Sequence, residues 1–115
     1  MKQPDDLIRL QHIVDFADRA ISYTTGLTQE EFTNNEVLQY ACVHLLEIIG
    51  EAANEITDKT RGQYPDIPWL KMINIRNRLI HGYIDINMDI VWLTIKNDLP
   101  TLTDQVRRIG LINGS

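Results

Sequence analysis

Apolar residues recur at steps of three and four along most of the chain, the spacing that gathers them on one face of an α-helix. Leu7, Leu10, Ile13, Val14, Ala17 and Ile21 form the first series. It predicts a helix from about residue 5 to residue 25, stopping at Gly26. Thr28 and Glu31 then have capping-box form and open one short turn ending near Phe32. Asn34 or Asn35 is placed to cap a second long helix. That helix carries Val37, Leu38, Ala41, Val43, Leu45, Leu46, Ile48, Ile49 and Ala52, apolar around more than half its circumference, so it is expected at the centre of the fold. Gly50 inside it costs roughly 1 kcal/mol relative to Ala, a cost that a close helix–helix contact would offset.

Residues 60–68 read as a loop punctuated by Gly62, Pro65 and Pro68. Asp66 or Ile67 should precede a third helix with Pro68 in its first turn. This helix holds Trp69, Met72, Ile73, Ile75, Leu79 and Ile80 and is expected to end near Gly82. Asp85 or Asn87 begins a fourth helix through Ile90, Trp92, Leu93, Ile95, Leu99 and Leu102, kinked or interrupted by Pro100 and resuming over residues 101–112. No run has strand character, and no repeat is evident. The pattern predicts an all-α, up-and-down bundle of four main helices, with residues 1–115 forming a single domain.

Composition adds boundaries. With 43% hydrophobic and 23% charged residues, the chain has the make-up of a globular protein. No apolar run approaches bilayer length, the N-terminal residues lack a signal-peptide pattern, and Cys42 is the single cysteine. Together these point to the cytoplasm and to no membrane partner. The net charge of −5 opposes non-specific binding of nucleic acid. Its distribution is uneven. Between Lys59 and Tyr83 the cations are Lys59, Arg61, Lys71, Arg76 and Arg78, and the one acid is Asp66, so the window carries +4 and the remainder −9. This is either a chance fluctuation or a local anion site on an acidic body.

Arg76, Asn77 and His81 sit in that window, at the end of the predicted third helix. Asn77 and His81, four apart, would share a helix face. Arg76 and His81, five apart, would lie roughly 140° apart around the helix. The long Arg stem can curl toward the imidazole, or the two can meet across a symmetric dimer. The negative end of the helix dipole would favour imidazolium at His81. Metal-free RNA cleavage needs such groups: a His to move protons between the 2′-OH and the leaving 5′-oxygen, an Arg to hold phosphate oxygens, and an Asn to donate to a non-bridging oxygen or orient the His. On spacing alone, a His capping a carbonyl and an Arg paired with an acid explain the residues better.

The series Arg76, Asn77, His81, Tyr83 resembles the Arg-x4-His-x-Tyr signature of the HepT toxins, ribonucleases of the HEPN class. LLEIIGEAANEI (residues 45–56), YPDIPWLKMINIRNRLIHGY (64–83) and DINMDIVWLTIKNDLP (85–100) are similar to further segments of that family, so the resemblance covers most of the chain. It implies a HEPN-like bundle and an endoribonuclease that needs no metal or other cofactor, with Arg76 and His81 as the catalytic pair and Asn77 assisting. It also implies a homodimer whose two motifs face a shared cleft, and a partner antitoxin, an MntA-type nucleotidyltransferase that silences the enzyme by transferring AMP to Tyr83. A competing reading is a non-catalytic HEPN subunit that binds a minimal nucleotidyltransferase and helps bind nucleotide or substrate. The intact Arg76, Asn77, His81 set favours the enzyme.

Other residues complete the inventory. Glu47 and Glu51, four apart in the most apolar helix, are either a solvent-facing stripe or carboxylates that hold Arg76 or Arg78 from behind. His12, His44 and His81 are too scattered in sequence to suggest a metal site. Cys42, Trp69 and Trp92 read as core residues.

Overall fold

A computed structural model describes residues 3–81 and 85–109. It is an all-α fold in which α1 (Gln3–Thr24) lies on α3 (Glu36–Glu55); α3 carries the helical segments between residues 69 and 93, and the last helix packs on α1. α1 ends where Gly26 takes a φ of +81°, a conformation that glycine adopts without steric cost. The capping box forms as the sequence requires: the Glu31 N–H donates to Thr28 Oγ1 at 3.1 Å, and the Thr28 N–H donates to Glu31 Oε1 at 2.8 Å. It opens the short α2 (Gln29–Thr33), whose Phe32 is fully buried against Trp92, ring centroids 5.3 Å apart. Asn35, not Asn34, caps α3 by accepting from the Leu38 N–H at 3.1 Å.

Leu46, Ile49 and Ala53 of α3 meet Leu10, Ile13 and Ala17 of α1 and Leu99, Leu102 and Val106 of the last helix in one buried core. The apolar circumference of α3 is not wholly inward, since Val37 is 80% exposed and Tyr40 also faces out. Gly50 has the role its place in a helix demands. A Cβ there would lie 3.1 Å from the Met72 carbonyl oxygen and 3.3 Å from Ile75 Cγ2. Its missing side chain lets the next segment settle directly on α3.

That segment departs from the single predicted helix at several points. Part of the expected loop is helical, as α4 (Asp58–Gln63), which has no apolar period and is built on hydrogen bonds instead. Thr57 caps it, and the buried carboxylate of Asp6 accepts from the hydroxyls of Thr57 at 2.6 Å and Thr60 at 2.5 Å and from the Thr57 N–H at 3.2 Å. The third helix is split at Asn74 into α5 (Trp69–Ile73) and α6 (Ile75–Leu79), with Pro68 as the N-cap of α5. It stops at Leu79, short of Gly82. Ile80 and His81 form a strand, β1 (Ile80–His81), antiparallel to β2 (Asp85–Ile86), with Ile80 opposite Ile86 and His81 opposite Asp85. Beside this pairing the Asn87 N–H donates to the Leu79 carbonyl at 2.7 Å. The expectation of no strand is therefore corrected by a two-residue ladder.

Asn87 caps α7 (Met88–Leu93) by accepting from the Ile90 N–H at 3.1 Å. The helical path then runs through a π turn (Thr94–Asp98) into α8 (Leu99–Arg107). Pro100 has no N–H to donate, and its ring crowds the carbonyl four residues back. The wider turn supplies room, with the Leu99 N–H bonded to the Thr94 carbonyl. Pro100 thus produces a π turn followed immediately by α8, not a gap before residue 101, and residues 110–112 of the predicted helix lie outside the described residues. Lys96 of the π turn caps the end of α1, donating to the Thr24 carbonyl at 2.7 Å, and lies 4.8 Å from the Trp92 ring centroid. No described helix is long and apolar enough to cross a membrane.

Candidate functional site

α6 is five residues long, and two of them anchor it. Ile75 and Leu79 are 3% and 1% exposed, one turn apart on the inner face. The three polar residues between them, Arg76, Asn77 and Arg78, are therefore presented outward on a helix fixed by its neighbours, since a single helical turn is not stable by itself.

The two arginines leave α6 on different sides. Arg76 reaches α3, where Nη1 lies 3.5 Å from Glu51 Oε1; both side chains are largely exposed, 53% and 69%. Such a surface pair contributes at most about 1 kcal/mol. It orients the guanidinium and leaves it accessible. Arg78 points toward the last helix, donating to Asp98 Oδ2 at 3.3 Å, while Lys71 donates to Oδ1 of the same carboxylate at 3.2 Å. Asp98 thereby ties α5 and α6 to the π turn. Asn77 remains exposed, its amide 3.5 Å from Asn74 Oδ1.

Arg76 lines two adjoining grooves on the α3 side. One, about 350 Å³, is shared with His44, Glu47, Ile48 and Glu51. The other, about 200 Å³, adds Asn54, Asn74 and Asn77 to Glu51 and Arg76. Of the two carboxylates considered as supports for an arginine, Glu51 therefore meets Arg76. Glu47 stays within its own helix, 4.0 Å from His44 Nδ1, and Arg78 is held by Asp98 instead. Among the described residues no group of His, Cys, Asp and Glu is assembled for a metal ion.

His81 follows α6 on extended backbone, so the helical geometry assumed for it does not hold. It does not share a helix face with Asn77, it is not 140° around a helix from Arg76, and it lies two residues beyond the helix end whose dipole was invoked. Its side chain, and Tyr83 as a whole, lie outside the described residues.

The cationic window is not a bare positive patch. Lys71 and Arg78 meet Asp98, Arg76 meets Glu51, and Arg61 donates to the carbonyls of Ala53 at 3.3 Å and Asn54 at 3.0 Å at the end of α3. Counting along a window cannot see acids brought in from α3 and the π turn. Asp98 and His44 are also the residues that spacing missed. The first is 20 positions from its partner, and the second stood among scattered histidines. The Asn74–Asn77 contact, by contrast, carried an i, i+3 signal. Cys42 is fully buried, and burial pushes its thiol up to about 11 despite nearby Lys96. That makes it inert core rather than a nucleophile.

Comparison with known proteins fits this organisation. The family model described as Ribonuclease HepT-like matches residues 13–109, which span α3, the α6 arginines, His81 and Tyr83. A protein of Methanocaldococcus jannaschii named "Putative RNase MJ1380" is 36% identical over 106 residues, covering 92% of this chain and 97% of its own. "Probable ribonuclease HepT" of Thermococcus cleftensis is 31% identical over 100 residues, 87% of this chain and 91% of its own. No solved structure gives a significant match. The match across most of the chain, in both directions, means that this chain belongs to the HepT-like ribonuclease family.

Proposed function

We propose that the protein is a metal-independent endoribonuclease whose reaction is carried by Arg76, Asn77 and His81. The observation that supports it most is the placement of Arg76: an exposed guanidinium, oriented by Glu51 and lining two grooves, in a chain of a ribonuclease family. In this reading the ribose 2′-oxygen gives up its proton and attacks the adjacent phosphorus. The P–O5′ bond breaks, and the leaving oxygen takes a proton. The products are a 2′,3′-cyclic phosphate and a 5′-hydroxyl. His81 moves protons, Arg76 holds the non-bridging oxygens as negative charge accumulates, and Asn77 donates a further hydrogen bond. A homodimer would bring a second copy of the motif to the same cleft, raising the positive charge facing RNA on an otherwise acidic protein.

The same reading makes the protein the toxin of a toxin–antitoxin pair. The Tyr83 hydroxyl attacks the α-phosphate of ATP, pyrophosphate leaves, and AMP remains on the tyrosine, under catalysis by an MntA-type nucleotidyltransferase. A bulky anion two residues from His81 then repels and blocks the substrate phosphate. Incubation with the nucleotidyltransferase, ATP and magnesium should add the mass of AMP to the wild-type chain and none to Tyr83→Phe. Undiminished addition to Tyr83→Phe excludes that site. Expression without the partner should arrest growth, and His81→Ala should relieve it. Equal arrest by folded His81→Ala and Arg76→Ala shows that the assigned catalytic pair is wrong.

A further inference from the structure

We propose that His44 contacts substrate phosphate, so that the groove between α3 and α6 seats the RNA backbone with His44 on one wall and Arg76 on the other; this rests on the ribonuclease reading above. His44, Glu47 and Glu51 recur at steps of three and four on the outer face of α3, and Ile48 lies among them. The groove of about 350 Å³ is lined by these four residues and Arg76. Two side chains that donate to anions therefore converge on one space from different elements.

Both are loosely held. The His44 side chain is 72% exposed, and its carboxylate partner Glu47 stands 4.0 Å away. Arg76 is 3.5 Å from Glu51, well beyond the 2.7–2.9 Å typical of a charge-assisted hydrogen bond. Each donor is thus oriented by a carboxylate without being consumed by it. A phosphate oxygen entering the groove takes the place of Glu47 beside His44 and of Glu51 beside Arg76, the two carboxylates that also line it. An imidazole donates an N–H in either protonation state and adds charge when protonated. Half-buried Ile48 offers an apolar floor for a ribose or the face of a base. The adjoining groove continues with the amides of Asn54, Asn74 and Asn77, whose donors and acceptors suit unpaired base edges. Single-stranded RNA fits this sequence of surfaces: phosphate donors, an apolar floor, then neutral amides.

The test uses the full chain and a 2′-O-methyl single-stranded RNA, which lacks the attacking hydroxyl. Affinity is measured across salt concentrations near pH 6, and sedimentation gives the mass of each variant. His44→Ala should weaken binding about tenfold and flatten the log–log salt dependence by about 0.7, the value of one lost phosphate contact on a single strand. His44→Arg should restore both affinity and slope. Folded His44→Ala with wild-type affinity and slope overturns the proposal. So does a loss of affinity that merely follows a change in mass, which would make the groove a protein–protein contact. If wild-type protein neither binds this RNA nor cleaves its unmodified counterpart, the ribonuclease reading falls too; if it cleaves the unmodified RNA and His44→Ala cleaves it equally, only the role of His44 falls.

Discussion

The α1–α3–α8 core and the α6–β1 edge are built on opposite principles. The core consists of long amphipathic helices with fully buried aliphatic residues such as Leu10, Ile13, Leu46, Ile49 and Val106. The edge is a five-residue helix followed by a two-residue strand, held by Ile75 and Leu79 below and by exposed ion pairs at its sides. Stability resides in the first, and the groups suited to chemistry in the second. Gly50 is where they touch, because its missing Cβ lets α5 and α6 rest on α3. The fold can therefore present Arg76 and Asn77 on very little structure of their own.

The strongest test of this division separates activity from stability. Arg76→Ala or His81→Ala should lower RNA cleavage by about 10²–10⁴-fold, the range for loss of a proton-transfer or charge-stabilising group. For Arg76→Ala the melting temperature should barely move, since the lost pair is exposed. A large fall in stability in that variant would break the comparison. The converse change is Ile49→Ala in the core. It should cost about 2–5 kcal/mol in denaturant unfolding, with cleavage per folded molecule unchanged.

Gly50→Ala probes the junction. A methyl group would lie 3.1 Å from the Met72 carbonyl, which must give by a few tenths of an ångström; overpacking of this kind costs about 1–3 kcal/mol, set against about 1 kcal/mol of better helix propensity. Because α5 leads directly into α6, whose Ile75 also lies 3.3 Å from the added methyl and which carries Arg76 and Asn77, cleavage should fall by more than the stability change explains. Cleavage that merely tracks the folded fraction would show the junction to be passive.

A smaller effect is set by pH. Burial alone would raise the carboxyl pKa of Asp6, but the hydroxyls of Thr57 and Thr60 and the Thr57 N–H outweigh it and hold the pKa below the ordinary value. A folded-state pKa below the unfolded one contributes stability above the unfolded value, near 3.9, and loses it as pH falls through the folded value. Asp6→Asn should therefore be less stable at neutral pH by about 1–3 kcal/mol, and the difference should shrink under acid. A constant difference down to low pH would contradict the assignment. Smallest of all, Asp98→Asn loosens two part-exposed ion pairs at the edge and should cost at most about 1 kcal/mol.

The sequence made local decisions legible and long-range ones obscure. Gly26, the Thr28–Glu31 box, Asn35 and Asn87 end or begin helices through atoms within a few residues, so the first two could be read directly and each of the other caps was narrowed to two candidates. Gly50 was legible as a demand for close contact, though not for which element makes it. α4 was invisible to periodicity because its stability comes from Asp6, 51 to 54 positions away. The β1–β2 ladder was too short to leave an alternating pattern. At the site, resemblance pointed to the motif, and the need of Glu47 and Glu51 for cationic partners pointed to Arg76 or Arg78 of the next helix. Only the fold separates them, because the two arginines leave α6 toward α3 and toward the π turn.

The central claim is that the α6–β1 edge cuts RNA without a metal ion. It is tested most directly by incubating the purified full chain with single-stranded RNA in excess chelator and analysing the ends. The account predicts fragments with 2′,3′-cyclic phosphate and 5′-hydroxyl termini, absent with His81→Ala and strongly reduced with Arg76→Ala. No cleavage by the wild-type chain, or equal cleavage by the folded His81→Ala variant, would contradict it.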